Sequence, residues 1–357
     1  MIKIQYPDAR RLFKTDISTA KMFTKLAQPE QVIILDELEK QFLEEFDFAK
    51  EANSLATVNK NMAPFSNDVV VPKPIKELCT PTVVVMEFIP GSKLIDSIVH
   101  DNEKLASVMG TTLEKLKNGK FTAFDKASMS VRYTLNSLKV FSWNSFATLN
   151  NSTLGWLFPG YKVQKAHTGL DIKHMFHILF KVHGKQVLID GVLNGDPHPG
   201  NILVTPEGKL GLIDYGQVKK LTKRQRRELA KLIILLGKGE SAKQDVIAHI
   251  KHLGFETFKN DDFVLYKTTV IGFDRDDAET CEGKSVQAYM EMLNERDQTK
   301  KIPEHYVLAV RCCIILRGMA ASLGLPAISV AKEWHEMAVS TIEMFPEDAA
   351  DDDELPA

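Results

Sequence analysis

Two short segments contain residues that could do chemistry together: GDPHPGN at 195–201 and DYGQ at 214–217. Two prolines fix φ in the first segment and its glycines permit tight backbone paths, so we expect a rigid turn that presents Asp196 at a fixed position. Asn201 follows Asp196 by five residues, and Asp214 follows it by eighteen. Carboxylate and amide oxygens are the hard ligands that magnesium takes together with phosphate oxygens. The pattern therefore predicts a metal-dependent site for phosphate chemistry.

Protein kinases use the same spacing for a catalytic base, a metal-binding amide and a metal-binding carboxylate. By that comparison Asp196 orients or deprotonates an attacking hydroxyl, while Asn201 and Asp214 hold magnesium beside the phosphates of ATP. The alternative for either segment alone is a hairpin flanked by ordinary proline and glycine loops. His198, between the two prolines, is expected to fix the loop through hydrogen bonds rather than to bind a metal.

A kinase-like site also needs a lysine on a strand and a glutamate on a helix that holds it. Lys3 lies in IKIQYP, an expected strand, and Glu51 lies on an expected helix. The run VVVMEF then corresponds to the hinge: Met86 is expected behind the adenine base, and the backbone of Glu87 and Phe88 at its edge. Taken singly, a lysine on a short strand and a glutamate on a helix usually face solvent; it is their order before the hinge-like run that favours the paired site.

Hydrophobic spacing predicts the elements that position these residues. The expected strands are 2–6, 69–72, 82–88, 201–204 and 209–214, and the remainder after Gly91 is mainly helical in pattern. The helix before GDPHPGN is expected to end near Val192, whereas the segment 118–166 has weak periodicity and no clear prediction. A helix with one buried face is expected at 37–60, from apolar residues at Leu38, Phe42, Phe46, Ala49, Ala52 and Ala56.

Composition is that of a globular protein, with 44% hydrophobic and 26% charged residues in a chain of 357, long enough for two lobes. A net charge of -2 provides no overall basic surface, so nucleic acid is not an expected partner. The four cysteines have neither zinc nor disulfide spacing and are expected to be reduced thiols. No transmembrane helix is expected, because Arg311 and Arg317 interrupt the most apolar run.

The motifs IKIQYP, EEFDFAKEANS at 44–54, VVVMEFIPG at 83–91 and GDPHPGNIL with DYGQ together resemble the UbiB family of atypical kinases, also called aarF-domain kinases. The resemblance is scattered over residues 1 to about 225. It implies an α+β, protein-kinase-like bilobal fold that binds ATP and magnesium. It further implies a link to isoprenoid quinone lipids, with a quinone precursor, another lipid or a membrane surface as partner, and a mitochondrial or chloroplast location in a eukaryote.

The resemblance assigns the same roles to the lysine, glutamate, aspartates and asparagine discussed above. It also matches Glu45 and Asp47 to a Glu-x-Asp element, which in the family faces a Lys-x-Gly-Gln motif in an N-terminal extension. This sequence contains no such motif, nor the alanine-rich loop and first strands that should precede Lys3. We therefore expect the chain to be a fragment with an incomplete N-terminal lobe; the alternative is a degenerate family member.

On this basis residues 1–90 are expected to form a partial N-terminal lobe and residues 91–345 a mostly helical C-terminal lobe, followed by an acidic, disordered tail at 346–357. An insertion at about 100–168 is either a subfamily feature or retained non-coding sequence. Its Trp143, Trp156 and Phe158 either fill a core or touch a membrane surface.

Two functions from different classes fit the residues. The first is an enzyme that binds ATP and magnesium and transfers phosphate to a small molecule, a lipid or water. The second is a nucleotide-binding pseudokinase that acts as a regulatory or membrane-associated protein. Retention of Asp196, Asn201 and Asp214 favours the enzyme, and the missing phosphate-covering strands favour the pseudokinase.

Overall fold

The computed structural model describes residues 1–27, 39, 43, 46–112, 114, 123–153 and 170–346. The chain divides into two compact units, one made of Met1–Gly91 with Lys173–Ala357 and the other of Ser92–Ile172. All the described candidate site residues belong to the first, larger unit. The two lobes at 1–90 and 91–345 stay a prediction, and the predicted tail lies outside the described residues after position 346.

Short strands and longer helices form a mixed α/β architecture in the described residues. The strands are β1 (Ile2–Ile4), β2 (Val69–Val70), β3 (Val83–Val85), β4 (Ser92–Lys93), β5 (Val192–Asn194), β6 (Ile202–Val204), β7 (Leu210–Leu212), β8 (Val218–Lys220), β9 (Glu256–Thr257) and β10 (Thr299–Lys301). The helices are α1 (Ala9–Ala27), α2 (Phe48–Asn61), α3 (Leu94–Met109), α4 (Ala123–Thr153), α5 (Ile172–Gly184), α6 (Lys223–Gly237), α7 (Lys243–His252), α8 (Asp262–Phe273), α9 (Val286–Arg296), α10 (Glu304–Ser322), α11 (Val330–Glu333) and α12 (His335–Met344).

The first strand of the larger unit is held at both its middle and its end. β1 pairs antiparallel with β3, and Lys3 lies opposite Val84. The Met1 amine donates to the Met86 carbonyl at 2.6 Å, and the Met86 N–H donates to the Met1 carbonyl at 3.0 Å. The backbone of Lys3 is therefore fixed by hydrogen bonds on the β3 side.

Two antiparallel pairs bring the sequence motifs to one place. β6 and β7 form a hairpin with Ile202 opposite Leu212, so the residues just before β6 and just after β7 lie at the same end. β5 pairs with β8, with Asn194 opposite Val218. The Gly195 N–H continues this ladder by donating to the Gln217 carbonyl at 2.9 Å. The segments 195–201 and 214–217 are adjacent because these two pairs flank them.

The helix predicted at 37–60 is interrupted before Glu51; within 37–45 the structure describes positions 39 and 43, and both are helical. Residues 46 and 47 are not helical, and α2 starts at Phe48 with Asp47 as its N-cap, whose carboxylate accepts from the Lys50 N–H at 3.1 Å. A short polar residue that satisfies the first free N–H groups favours a new helix start over a continuous helix from 37. The buried face consists of Phe48, Glu51, Ala52, Leu55 and Val58.

Three further parts of the fold differ from the sequence prediction or lie beyond it. The expected helix to Val192 ends in a π-helical turn at Lys185–Asp190, after which the chain forms β5. α1 follows the first strand without having been predicted. α4 occupies 31 residues of the segment that lacked clear periodicity, because that stretch contains no glycine or proline to interrupt it. Trp143 lies on α4 and is 36% exposed, while Trp156 and Phe158 lie outside the described residues.

α10 is long and apolar enough to pass as a membrane span by length and composition. Within the described residues it is the one helix that does so, despite Arg311 and Arg317. Core helices pass the same test, and eight residues of α10 are buried in the larger unit. Arg317, on this helix, is 3% exposed and donates to the Ile271 carbonyl, and Arg311 faces the site described next. Cys281, Cys312 and Cys313 are buried free thiols and Cys79 is a half-buried one, as expected.

Candidate active site

Lys3 and Glu51 form a close ion pair, as the sequence predicts. Lys3 Nζ donates to both carboxylate oxygens of Glu51, at 2.7 Å and 2.9 Å. The Glu51 side chain is 2% exposed, whereas that of Lys3 is 35% exposed. Lys3 Nζ also lies 5.2 Å from the centre of the Phe48 ring. A buried carboxylate needs such a charged partner, because an unpaired buried charge is costly.

The same ammonium group lies near a second carboxylate. Lys3 Nζ is 3.5 Å from Asp214 Oδ1, so β1, α2 and the loop after β7 converge on one charge. Burial acts to lower the pKa of Lys3, but the Asp214 and Glu51 carboxylates outweigh burial and raise its pKa. The lysine is therefore held in its charged form, which is the form that binds phosphate.

The backbone after Asp214 fixes the orientation of its carboxylate. The Gly216 N–H donates to Asp214 Oδ1 at 3.0 Å. A Cβ on Gly216 would lie 3.3 Å from that oxygen, a tight contact, and 3.8 Å from Glu51 Oε2, an ordinary one. The Asp214 side chain is 34% exposed, and no described residue hydrogen-bonds to its Oδ2. This oxygen is available as a metal ligand.

Asn194 connects the two motifs, although the sequence analysis did not identify it. Its side chain is buried at the end of β5. Nδ2 donates to the Asp214 carbonyl at 3.1 Å, and Oδ1 accepts from the Asp196 N–H at 3.0 Å. One amide therefore fixes the distance between the predicted base and the predicted metal ligand.

Asp196 is paired with an arginine that sequence reasoning also missed. Asp196 Oδ1 accepts from Arg311 Nη2 at 3.1 Å, and Arg311 Nη1 donates to Gln217 Oε1 at 2.8 Å. Arg311 is on α10, more than a hundred residues after the motif. A pairing over such a separation has no local spacing signal, and Arg311 was noted only as an interruption of an apolar run.

Asn201 stands at the start of the β6–β7 hairpin, where the prediction requires it. Its carbonyl accepts from the Ile213 N–H at 3.2 Å, which places it beside the residue that precedes Asp214. No described residue hydrogen-bonds to its side-chain amide, which leaves the amide oxygen free to bind a cation. His198 Nδ1 accepts from the Gly200 N–H at 3.1 Å, and this contact confirms the expectation that the histidine fixes the loop.

The predicted hinge has one buried and one exposed side chain. Met86 is 1% exposed and Phe88 is 71% exposed. The Glu87 N–H donates to the Lys73 carbonyl at 3.0 Å, and the Glu87 carboxylate accepts from the Lys73 N–H at 3.1 Å. The Glu87 carbonyl and the Phe88 backbone make no hydrogen bond to the described residues. These are the groups left for the edge of an adenine base.

The predicted Glu-x-Asp element divides between a described and an undescribed residue. Asp47 is the N-cap of α2, four residues before Glu51, and so helps to position the helix glutamate. Glu45 lies outside the described residues.

Of the predicted residues, Lys3, Asp196 and Asp214 line one cleft of about 290 Å³, whereas Glu87 and Phe88 line a separate pocket. Lys3, Asn194, Asp196 and Asp214 contribute the polar groups of the cleft, and its apolar wall includes Phe48. Among the described residues of the site, the cleft combines one cation held by carboxylates, one carboxylate oxygen free for a metal and one aspartate on a rigid loop. Such a set can neutralise phosphate charge and position an attacking oxygen, which is most of what phosphoryl transfer requires of a protein.

A strand lysine paired with a helix glutamate, together with a loop aspartate and an Asp-x-Gly carboxylate, defines a site of the protein-kinase class. The family model described as ABC1 atypical kinase-like domain matches residues 1–128 and 153–246, more than half of the chain. The chain belongs to this family, and the match confirms the resemblance to UbiB proteins.

Curated relatives include proteins named as kinases. Protein ACTIVITY OF BC1 COMPLEX KINASE 1, chloroplastic, from Arabidopsis thaliana is 22% identical over 204 residues, which are 57% of this chain and 20% of the relative. The probable serine/threonine-protein kinase abkB of Dictyostelium discoideum is 34% identical over 97 residues, 24% of this chain and 14% of the relative.

An uncharacterized protein in the hydrogenase 1 5' region of Clostridium pasteurianum is 22% identical over 344 residues, 92% of this chain and 51% of the relative. The chain thus spans about half or less of the length of these relatives. Among solved structures, the Rv3197–erythromycin complex of Mycobacterium tuberculosis matches 97% of this chain and 70% of its own, with 15% identity and a TM-score of 0.43, which is too low to support an argument.

Proposed function

We propose that the chain binds ATP with magnesium and acts as an atypical kinase or ATPase. The observation that carries the proposal is that the Glu51 and Asp214 carboxylates both lie within 3.5 Å of the Lys3 ammonium group. Lys3 lines the same cleft as Asp196. In this proposal Lys3 binds the phosphates of ATP. Asp214 and Asn201 would hold magnesium through a carboxylate and an amide oxygen, and the ion would neutralise phosphate charge.

The chemical step follows from the position of Asp196. An acceptor hydroxyl or water attacks the γ-phosphorus of ATP, the bond from that phosphorus to the bridging oxygen breaks, and ADP leaves. Asp196 orients the attacking group and takes its proton. Asn194 keeps Asp196 at a fixed distance from Asp214 through its two hydrogen bonds.

The acceptor and the location come from the family resemblance and are part of the proposal. The acceptor is a small or lipid-linked molecule of isoprenoid quinone metabolism, presented at a membrane surface. Two relatives are named as chloroplastic, and a plastid is accordingly the location that we propose; the resemblance also allows a mitochondrion. The protein-kinase-like bilobal arrangement, with residues 1–90 in the first lobe, belongs to the same proposal.

Turnover of labelled ATP by the parent chain and by Asp196→Asn tests the enzymatic role. We expect magnesium-dependent phosphate release or transfer in the parent and a loss of about a hundredfold or more in the variant, whose amide cannot take a proton. The variant should bind ATP as the parent does. Binding without turnover in the parent would contradict the enzymatic role and support the pseudokinase alternative.

A further inference from the structure

α10 lies directly against the segment that carries Asp196. A Cβ placed on Gly195 would be 2.8 Å from Leu308 Cδ2, so the helix and the loop backbone are already in close contact. At the start of the helix, Glu304 Oε1 accepts from Lys219 Nζ, in β8, at 2.7 Å. α10 therefore contacts both β8 and the chain between β5 and the loop.

Arg311 is the residue of α10 that reaches the reactive carboxylate. Its two terminal nitrogens bind different segments: Nη2 donates to Asp196 Oδ1 and Nη1 donates to Gln217 Oε1. The guanidinium is a rigid planar fork, so it fixes the two acceptors relative to one another. A lysine, with one nitrogen on a flexible stem, cannot reproduce that geometry.

The bridge leaves one oxygen of Asp196 free. Oδ1 is held by Arg311, while no described residue hydrogen-bonds to Oδ2. The side chains of Arg311 and Asp196 are 41% and 29% exposed, so solvent screens their attraction and the pair adds little to stability. Its effect should appear in the orientation of the carboxylate rather than in the free energy of unfolding.

We propose that Arg311 is a positioning residue for phosphoryl transfer, which holds Asp196 by Oδ1 against Gln217 so that Oδ2 meets the acceptor hydroxyl. This inference rests on the proposed function. In the proposed reaction Arg311 acts through Asp196 and contacts neither the metal nor the transferred phosphate.

Arg311→Ala, Arg311→Lys and a matched control, Arg296→Ala, test the inference in the full chain. Arg296 forms an exposed pair with Asp261, with nitrogen to oxygen distances of 2.7 Å and 3.2 Å, and so also loses an arginine–aspartate contact. We expect turnover of MgATP to fall about tenfold to a hundredfold in Arg311→Ala, with MgATP affinity within about twofold of the parent. Arg311→Lys should recover only part of the loss, and the control should be unchanged.

Chemical rescue separates positioning from general damage. Millimolar guanidinium, far below the molar concentrations that unfold proteins, should raise turnover of Arg311→Ala several-fold by occupying the vacated position, and should leave the parent and Arg296→Ala unaffected. Arg311→Ala turnover within about twofold of the parent, an equal loss in the control, or the absence of rescue would each overturn the inference.

Hydrogen exchange supplies a readout that needs no turnover. The amides of 195–201 and 216–218 should exchange faster in Arg311→Ala than in the parent, and not in Arg296→Ala. If the parent neither binds nor turns over ATP, the proposed function fails, and the exchange rates still decide whether Arg311 positions the loop. If the parent is active but these amides exchange at the same rate in Arg311→Ala as in the parent, the role of Arg311 is refuted and the proposed function stands.

Discussion

At the residue scale, the Lys3 and Glu51 pair joins stability to ligand binding. Glu51 is almost fully buried on α2, and the Lys3 ammonium group that reaches it from β1 compensates its charge. Asp214 adds a second negative charge at 3.5 Å. The site thus holds one cation between two carboxylates, and a phosphate group would bring further negative charge to the same cation.

A double-mutant cycle measures this pairing directly. Lys3→Met should reduce the free energy of unfolding by about 1–3 kcal/mol, because it removes the ammonium group that pairs with the buried Glu51 carboxylate. The double variant Lys3→Met with Glu51→Gln should be less destabilised than the sum of the two single variants, with a coupling of about 1–2 kcal/mol in urea titrations. Lys300→Met, which removes a partner of exposed Glu256, is the control and should have little effect. Additive single effects would show that the pair is not coupled.

The residues of the site differ in how well a sequence could predict them. Asp196, Asn201 and Asp214 lie close together in the chain at a spacing set by one hairpin, so a local pattern found them. Lys3 and Glu51 were predicted from their order along the chain, and the structure pairs them. Arg311 could not be found in this way, because its contact with Asp196 depends on how α10 packs rather than on any spacing.

At the element scale, the sequence predicted β6 and β7, which lie between the two motifs, but did not predict β5 and β8, which flank them. β6 and β7 are apolar runs separated by a Pro-Glu-Gly turn, which is a strong hairpin signal. β5 has only three residues, and Gly191 alone separates it from the π-helical turn, so the hydrophobic pattern of the helix extends to Val192. The predicted helix at 37–60 is interrupted and α2 starts at Phe48, because Asp47 provides a cap that hydrophobic spacing does not reveal.

The contact between α10 and the loop gives a prediction for Gly195. Gly195→Ala should reduce the free energy of unfolding by roughly 1–3 kcal/mol, because its Cβ would overlap the Leu308 side chain. Gly318→Ala, on the same helix with open space around it, should be neutral or stabilising by up to about 1 kcal/mol.

Thermal and urea unfolding of both glycine variants provide the test. Gly195→Ala should reduce the free energy of unfolding less in a Leu308→Ala background than it does in the parent. Equal stability of the two single glycine variants would show that α10 does not constrain this loop.

At the scale of the whole molecule, the larger unit encloses a histidine that must stay neutral. His183 is 1% exposed on α5, and its Nδ1 hydrogen-bonds to the Leu179 carbonyl at 2.8 Å. Burial lowers the pKa of His183 from 6.5 to about 4, although the hydrogen bond to the Leu179 carbonyl opposes this shift. Because the folded pKa lies below the unfolded one, the stability linked to this residue is fully present above pH 6.5 and is lost as the pH falls toward 4.

Urea unfolding at two pH values measures this linkage. Between pH 7 and pH 5 the parent should lose about 2 kcal/mol more stability than His183→Asn, whose amide can donate to the same carbonyl but does not titrate. His100→Asn, which replaces an exposed histidine, should behave like the parent. An identical pH dependence in parent and His183→Asn would mean that the histidine is not held neutral.

The proposed function depends most on Asp214 as the ligand of a magnesium–nucleotide complex. Calorimetric titration with ATP, in magnesium and in excess chelator, compares the parent with Asp214→Asn and with Asp262→Asn, which alters an exposed carboxylate paired with Lys251. We predict that magnesium strengthens ATP binding in the parent and the control, and that Asp214→Asn loses this gain, with affinity in magnesium weaker by about tenfold or more. Equal affinity of Asp214→Asn and the parent for MgATP would contradict the proposed function.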